Sequence, residues 1–383
     1  MKPKFAFIRE SYGNRIGGIQ GKILSLASFY ADQGLFEPVL ITNDIESSFS
    51  KAFSALNLDI YILPSKNKRK YLWLPSIVIN GFFISRLVRK KNLVLISSHK
   101  LRESLMARIA KKKNKQKIKH VFRVHTHIDG RGHSVIKTRF LHILDSKTSK
   151  YVDHYIPISN VIKQELVSKS KINPDKVTVV YNGINRLGEP DELFDKKTPL
   201  SLKVAIVGEL QKRKSQEDMI RAIAALKSIS ITIEAHFLGG NTYSNYKQLM
   251  LELADSLGVS NQIVFHGHVE REKIPETIRE IPIVILNSMF EGVPTSLVEA
   301  MSLKKIVIGT DVGGTRELVQ NGFNGFLYPH GNIDELSKIL EELFSKPESH
   351  WNIMRENAFQ TWKTTFRSDL MYEGFNGVIS QLS

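Results

Sequence analysis

Short runs of β-branched and aromatic residues alternate along the chain with longer stretches whose apolar residues follow helical spacing. Strands that alternate with helices form parallel sheets, so this pattern predicts an α/β protein. A polar, acidic stretch at 186–200, which contains Pro190 and Pro199, interrupts the alternation and is typical of a linker. The predicted strands are 4–10, 37–42, 58–63, 92–97, 120–124, 154–159 and 176–181 before this stretch, and 202–208, 232–240, 262–267, 282–287, 305–310 and 325–329 after it.

The interrupted alternation predicts two doubly wound parallel-sheet domains in tandem. We expect an N-terminal domain at 1–187, a second domain at 188–365, and a C-terminal helix at 366–383 that packs back on the first domain. In such sheets ligands bind at the carboxyl ends of the strands, near the point where strand order reverses. The expected site is therefore the cleft between two facing sheets.

The composition of the 383 residues excludes several kinds of chemistry. The chain contains no cysteine, so it has no disulfide, no thiolate nucleophile and no cysteine-based zinc site. The first residues contain no apolar run long enough for a signal peptide. We therefore expect a cytoplasmic protein.

The positive charge is concentrated in one segment. The chain has a formal net charge of +16, and residues 66–120 contain seventeen basic residues and a single acid, Glu103. Such a patch attracts anionic lipid, nucleic acid or phosphorylated substrates, or serves as a solvated face. Because no nucleic-acid-binding motif accompanies the charge, we do not expect a nucleic-acid partner.

Within this segment, residues 66–91 join two basic clusters across an apolar, aromatic run. Pro75, Asn80 and Gly81 interrupt the run, which argues against a transmembrane helix and favours an interfacial element. The hypothesis is peripheral binding to an anionic membrane surface through residues 66–120, on the inner membrane face. The alternative is a core helix of which only the lysines are exposed.

The stretch 284–303 has the residues expected of a phosphate and sugar site. A predicted strand ends near Asn287, and Pro294 marks the start of a helix. A helix N-terminus carries free N–H groups and partial positive charge, which suit a phosphate. Glu291 precedes this helix and Glu299 lies within it, and each carboxylate can accept two hydroxyl hydrogen bonds.

The sequence FEGVPTSLVEAMSLKKIVIGTDVGGTRELVQNGFNGFLY, which begins at Phe290, resembles the nucleotide-sugar signature of the family 4 retaining glycosyltransferases, with its Glu-x7-Glu motif. The stretches GGIQGKILSLASFYADQG at 17–34 and YNGIN at 181–185 are similar to other motifs of that family. The resemblance covers most of the chain. It implies the GT-B fold, in which two Rossmann-like domains face each other.

The resemblance also implies roles for individual residues. Glu299 would bind the ribose of the nucleotide, and Glu291 would contact the hydroxyls of the donor sugar. Backbone N–H groups around the donor would come from Gly17 and Gly18 in the first domain and from Gly292, Val293, Pro294, Thr295, Ser296 and Leu297 in the second.

The segment VGELQKRKSQED matches the family only in part. Lys214 stands at the position of the lysine that holds the diphosphate. Glu209 stands where the family has arginine, and Ser215 stands where it has glycine. Arg213 or Lys212 could supply the charge of the missing arginine.

The histidines after the strand at 120–124 are further candidates. By resemblance, His125 would lie beside the donor sugar, and His127 is the second choice. A His-x-His pair can also bind a metal, but the spacing shows no third ligand. His99, after the preceding strand, is a weaker candidate. The chain contains no Asp-x-Asp motif, which agrees with a metal-independent reaction.

Together these features predict a retaining glycosyltransferase that moves a hexose or N-acetylhexosamine from a nucleotide diphosphate sugar, UDP or GDP, to a glycan or polyprenyl-linked acceptor in cell-surface polysaccharide synthesis. No cofactor is expected. The resemblance gives Glu291, His125 and Lys214 the catalytic roles of positioning and polarising, because the leaving phosphate itself takes the acceptor proton. The alternatives are a nucleotide-sugar epimerase of the same fold and a decayed sugar-nucleotide-binding or membrane-scaffold protein.

Overall fold

The computed structural model describes residues 2–10, 16–64, 73–115, 117–126, 135–190, 203–241 and 245–382. The chain divides into two compact units. Unit 1 comprises Met1–Tyr181 and Met371–Ser383, and unit 2 comprises Asn182–Leu370. The expected boundaries at 187 and 365 differ from these by six and five residues.

Unit 1 contains a six-stranded parallel sheet flanked by helices. Its strands are β1 (Lys4–Ile8), β2 (Glu37–Thr42), β3 (Ile60–Ile62), β4 (Leu93–Ser98), β5 (Lys119–Val124) and β6 (His154–Pro157). Its helices are α1 (Gly18–Gln33), α2 (Ser48–Ser54), α3 (Trp73–Lys90), α4 (Leu101–Lys113), α5 (Val135–Thr148) and α6 (Asn160–Ser168).

Unit 2 repeats this architecture. Its strands are β7 (Lys203–Val207), β8 (Glu234–Leu238), β9 (Ile263–Gly267), β10 (Ile283–Leu286), β11 (Ile306–Thr310) and β12 (Phe326–Tyr328). Its helices are α7 (Glu217–Lys227), α8 (Tyr246–Ser256), α9 (Ile274–Thr277), α10 (Thr295–Ser302), α11 (Thr315–Leu318), α12 (Ile333–Ser345) and α13 (Asn352–Thr365). The last helix, α14 (Ser368–Ser380), runs from the end of unit 2 into unit 1.

The two sheets have the same topology. The strand orders are β3-β2-β1-β4-β5-β6 and β12-β11-β10-β7-β8-β9, and every pairing between these strands is parallel. In both sheets the first and fourth strands of the unit are neighbours, so the strand order reverses between them. These switch points, between β1 and β4 and between β7 and β10, are where doubly wound sheets bind ligands. The predicted α/β doubly wound fold is confirmed.

Twelve of the thirteen predicted strands form, with ends within two residues of the prediction. The strand predicted at 176–181 does not form, and this prediction was wrong. The segment makes a single bridge, between Tyr155 and Val177, and donates two N–H bonds to the edge of β6. One of these goes from Val180 to the carbonyl of Pro157, which has no N–H with which to continue a ladder.

Apolar side chains fill both faces of the first sheet because helices cover each face. On one face, buried residues of α3 and α4 pack with β4 and β5. On the other face, Phe5 and Phe7 pack with α1 and with Met371 and Phe375 of α14. In unit 2 one continuous apolar cluster joins the sheet to α7, α8 and α12. These cores fix the carboxyl ends of the strands, where the candidate chemistry lies.

Candidate functional site

In unit 2, the loop between β10 and α10 places the Glu-x7-Glu motif at the switch point of the sheet. Pro294 directly precedes α10 in an extended conformation, with φ −75° and ψ 107°. Its carbonyl accepts the N–H of Val298 at 3.2 Å. Proline has no N–H, so the expectation that Pro294 donates to the ligand is wrong. The side chain of Leu297 is fully buried, so it is not available to contact a ligand.

Two glycines beyond β11 hold this loop in place. Gly314 donates its N–H to the carbonyl of Glu291 at 3.0 Å. A Cβ on Gly313 would lie 2.1 Å from the Glu291 carbonyl oxygen, and one on Gly314 would lie 1.4 Å from that of Gly292. Because no side chain fits at either position, Gly313 and Gly314 are a requirement of the loop that carries Glu291.

The carboxylate of Glu291 is paired with a cation. Lys214 Nζ lies 2.5 Å from Glu291 Oε1, and Arg213 Nη1 lies 3.6 Å from the same oxygen. Burial of the Glu291 carboxyl favours its neutral form, but the charge and hydrogen bond of Lys214, assisted by Arg213, outweigh burial and lower its pKa. Glu291 is therefore an anion at neutral pH, and it holds the Lys214 ammonium beside the switch point.

The turn Lys212–Lys214, after β7, is docked on the Glu291 loop through its backbone. The N–H of Met289 donates to the Arg213 carbonyl at 3.0 Å, and Arg213 Nη1 donates to the Phe290 carbonyl at 2.9 Å. Of the two candidates for the charge of the missing arginine, Arg213 is the one that contacts this loop. The side chain of Lys212 is exposed.

Glu299, the second carboxylate of the motif, is paired with Arg271. The Glu299 Oε1 atom lies 2.8 Å from Arg271 Nε and 2.7 Å from Arg271 Nη2. Arg271 stands four residues beyond β9, and sequence reasoning missed it. Its only signal was a basic residue soon after a predicted strand, which is too common a feature to mark a site.

In unit 1, the switch point carries a pair of buried histidines. His99 follows β4 and His125 follows β5, and they are 2% and 6% exposed. Their rings stack, with Nδ1 of His99 3.0 Å from Nε2 of His125. Burial and neighbouring positive charges hold the pKa of both imidazoles well below the usual range, so both are neutral at pH 7. His127 lies outside the described residues, and it is His99 that the structure brings to His125.

A network of buried charges surrounds this pair. Glu103 accepts hydrogen bonds from Arg9 Nη1 at 2.9 Å and from the N–H groups of Glu10 and His99, each at 3.1 Å. Arg102 in turn donates to both oxygens of Glu10, at 2.6 and 3.0 Å. Sequence reasoning missed this network because its members are up to 94 residues apart.

The two glycines expected to contact the donor phosphate, Gly17 and Gly18, lie at the exposed N-terminus of α1. The N–H of Gly17 donates to Gln20 Oε1 at 2.6 Å. The N–H that the resemblance assigns to the donor phosphate therefore already has an acceptor within the protein. A Cβ on Gly18 would meet no atom within 4 Å. Within the described residues, no group of three or more histidines and acids is arranged to hold a metal ion.

The basic segment 66–120 is only partly a surface. Ten of its thirteen described basic residues are exposed. The other three point inward and pair with acids far along the chain: Arg102 with Glu10, Arg108 with Asp145, and Lys111 with Asp153. The sequence count overstated the patch, because these three charges are already neutralised.

Apolar residues are exposed on two helices of unit 1 that both pack against α4. On α3 they are Leu74, Val78, Ile79 and Phe82, and on α5 they are Val135, Ile136, Phe140 and Ile143. We call these eight residues the apolar stripes. The ammonium of Lys113 on α4 lies 4.8 Å from the centre of the Phe82 ring, so basic and apolar groups share this surface. The alternative of a core helix with only its lysines exposed therefore holds in part, because α3 buries Ile77 and Ile84 in the core but also exposes an apolar stripe. None of the helices in the described ranges is long and apolar enough to cross a membrane.

Comparison with protein-family models identifies both halves of the chain. Residues 16–186 match the model of "Glycosyltransferase Family 4", and residues 191–361 match that of "Glycosyl transferases group 1". The two matches together span most of the chain. The chain belongs to the family 4 glycosyltransferases of the GT-B type, and the resemblance inferred from its motifs is confirmed.

Curated relatives and solved structures agree with this assignment. The chain is 25% identical over 235 residues to a lipopolysaccharide 1,6-galactosyltransferase of Salmonella typhimurium, covering 60% of this chain and 62% of the relative. Matches to the curated relatives span between about a third and seven tenths of their length, and for most of them less than two thirds. The structure of Anabaena Alr3699/HepE in complex with UDP-glucose superposes with a TM-score of 0.79 at 18% identity, covering 99% of both chains. The GT-B fold is confirmed.

Proposed function

We propose that this protein is a retaining, metal-independent glycosyltransferase that moves a hexose or N-acetylhexosamine from a nucleotide diphosphate sugar to a glycan or lipid-linked acceptor. The observation that carries the proposal is the loop and helix from Glu291 to Glu299, which present two carboxylates, each beside a cation, at the switch point of unit 2. Family membership and the UDP-glucose complex of Alr3699/HepE support a nucleotide-sugar donor.

The charges of the site suit departure of a nucleotide diphosphate. In the proposed reaction the bond between the sugar C1 and the diphosphate oxygen breaks, and a bond from the acceptor oxygen to C1 forms on the same face. The acceptor proton passes to the leaving phosphate. Lys214 and Arg213 stabilise the developing negative charge, while Glu291 orients the sugar hydroxyls. His125, neutral at pH 7, positions the donor through a hydrogen bond.

The first experiment measures thermal stability with UDP, GDP, ADP and CMP and with the corresponding sugars. A ligand at 100 times its dissociation constant stabilises by about 2.7 kcal/mol, so a true donor nucleotide shifts the melting temperature by several degrees. A selective shift with one diphosphate identifies the donor class. If no nucleotide shifts the melting temperature, the proposal is contradicted and a decayed site is favoured. Glu209, which stands where the family has arginine, would be consistent with such a site.

Two variants assign the carboxylates. We expect Glu299→Ala to weaken nucleotide binding by about tenfold or more, because it loses charged hydrogen bonds to the ribose. Glu291→Ala should chiefly lower transfer with a smaller effect on nucleotide binding. Wild-type kinetics in both variants would refute these assignments, and an epimer of the nucleotide sugar as product would favour the epimerase.

We further propose that unit 1 docks on an anionic membrane surface, on the inner membrane face, to reach a lipid-linked acceptor. The apolar stripes of α3 and α5 support this proposal, because basic residues such as Lys113 accompany exposed apolar side chains there. Apolar insertion combined with electrostatic attraction is how peripheral proteins bind bilayers. The stripe on α5 lies beyond the segment 66–120 and extends the surface expected from sequence.

Vesicle flotation tests the docking surface. We expect the protein to float with vesicles that contain phosphatidylglycerol and to remain in the soluble fraction with phosphatidylcholine alone. The substitutions Phe82→Ser and Phe140→Ser should each reduce flotation. Ile353→Ser, which removes an even more exposed apolar residue from unit 2, is the control. Equal recovery with both lipids would overturn the docking proposal and leave the donor site unaffected.

A further inference from the structure

The turn that presents Lys214 ends in an unusual backbone conformation. Ser215 follows Lys214 with φ 46° and ψ 40°, in the left-handed region, and it is only 5% exposed. Glycine adopts this conformation without steric cost, whereas a residue with a Cβ does so only where other contacts compensate. Serine at this position therefore calls for an interaction that glycine cannot make.

That interaction is a hydrogen bond to a histidine 115 residues away. The Ser215 Oγ atom lies 2.9 Å from Nε2 of His330, which stands two residues beyond β12. The serine is buried while His330 is exposed. The bond ties the end of the Lys212–Lys214 turn, which follows the central strand β7, to the segment that follows the edge strand β12.

The turn also has hydrogen bonds of its own, from the Lys214 N–H to the Gln211 carbonyl at 2.8 Å and from the Ser215 N–H to the Lys212 carbonyl at 3.1 Å, and it is anchored on both sides of the lysine. On one side, Met289 and Phe290 hold the backbone and side chain of Arg213. On the other side, the Ser215 carbonyl accepts the N–H of Asp218 at 3.1 Å, at the start of α7. Lys214 lies between these anchors, with its ammonium 2.5 Å from Glu291. A change in the Ser215 backbone would therefore move the Lys214 side chain directly.

We propose that Ser215 and His330 are a positioning pair that holds the Lys212–Lys214 turn and so places the Lys214 ammonium for the diphosphate of the donor. This inference rests on the proposed function, because Lys214 needs a defined position only if it binds a diphosphate. The pair acts through Lys214 and does not itself touch the donor.

The experiment measures dissociation constants of UDP, GDP, UMP and GMP by calorimetry on the full chain. We expect Ser215→Ala and His330→Ala each to weaken binding of the preferred diphosphate by about fivefold, the equivalent of one hydrogen bond. The monophosphate should change much less, because the lysine serves the diphosphate. The double variant should lose no more affinity for the diphosphate than the single variant with the larger loss, since both substitutions remove the same bond.

Two further variants separate positioning from folding. Ser215→Gly removes the hydroxyl together with the backbone strain, so it should bind the diphosphate better than Ser215→Ala. His330→Gln keeps a polar group near Oγ and should retain part of the affinity. A merely structural role would lower the melting temperature and would weaken monophosphate and diphosphate binding equally.

The outcomes distinguish the inference from the proposed function. If the wild-type protein binds no nucleotide, both are overturned. If Lys214→Ala reduces the preference for diphosphate over monophosphate but the Ser215 and His330 variants do not, the positioning pair alone is wrong. Independent losses that multiply in the double variant would also overturn it, because uncoupled residues do not form a pair.

Discussion

The same edge of two sheets with the same topology is built in opposite ways. At the switch point of unit 1, Glu103, Arg9 and the two histidines are buried, and the acid accepts three hydrogen bonds from groups of the protein itself. At the switch point of unit 2, the two arginines that face the carboxylates are more accessible, with the side chains of Arg213 and Arg271 44% and 48% exposed, whereas Lys214 is 16% exposed.

This difference determines what each edge can do. A buried charge that loses its partner is strongly destabilising, so the charges of unit 1 exchange their partners only at a high energetic cost. Exposed ion pairs contribute at most about 1 kcal/mol, so a ligand can replace one partner at little cost. The topology supplies a site in both units, and the burial of the charges decides whether the site holds its shape or exchanges its partners.

The largest expected effect comes from breaking the network of unit 1. Glu103→Gln removes the charge that faces Arg9 and should reduce the free energy of unfolding by about 3–5 kcal/mol. Chemical denaturation measures the loss of unfolding free energy, and hydrogen exchange shows whether the loss lies in unit 1. The control is Glu341→Gln, which replaces an exposed glutamate on α12 and should change the free energy of unfolding by no more than about 0.5 kcal/mol. A similarly small change at Glu103 would mean that the two edges do not differ.

The second effect is the response of unit 1 to acid. Burial, then the charges of Arg123 and Arg9, lower the pKa of His99 in the folded protein, and burial likewise lowers that of His125. Below about pH 6.5 the unfolded chain therefore binds more protons, so the stability of unit 1 falls as pH falls, by about 1.4 kcal/mol per pH unit for each proton. Hydrogen exchange in unit 1 at pH 5 and 7 checks this. A profile unchanged by His99→Gln would contradict it.

Unit 2 contains a group with the opposite response. Burial, then the charge of Glu217, raises the pKa of Asp218 to about 6. Between about pH 4 and 6 the folded state binds more protons than the unfolded chain, so this group destabilises unit 2 as pH rises. We expect Asp218→Asn to stabilise the protein by about 1–2 kcal/mol at pH 7.5, after allowance for solvent screening, and not at pH 4. Asp334→Asn, at an exposed first turn of α12, is the control and should show no such gain.

The smallest effect is expected at the exposed ion pair of unit 2. Arg271→Ala removes the partner of Glu299 and should lower the free energy of unfolding by less than about 1 kcal/mol. Thermal unfolding measures this change. The control is Arg279→Ala, which removes another exposed arginine of the same region. A loss comparable to that of Glu103→Gln would show that the pair is structural and that the edge of unit 2 does not exchange partners.

Local patterns in the sequence were enough to predict the architecture. Buried strands appear as runs of β-branched and aromatic residues, and this signal lies within each strand, so twelve strands were located before any contact was known. The Glu291–Glu299 motif was also visible, because its spacing reflects one continuous loop and helix. The strand predicted at 176–181 failed because a strand also needs a partner with free N–H groups, which the segment itself does not encode.

Only the tertiary structure decided which charges face one another. Arg102, Arg108 and Lys111 counted toward a basic patch in the sequence, yet they pair inward with acids 92, 37 and 42 residues away. The contacts of Arg271 with Glu299 and of Ser215 with His330 are equally remote from any local pattern. Hydrophobic periodicity is a property of neighbouring residues, whereas the strength and direction of an ion pair or hydrogen bond depend on positions that the folded chain alone brings together.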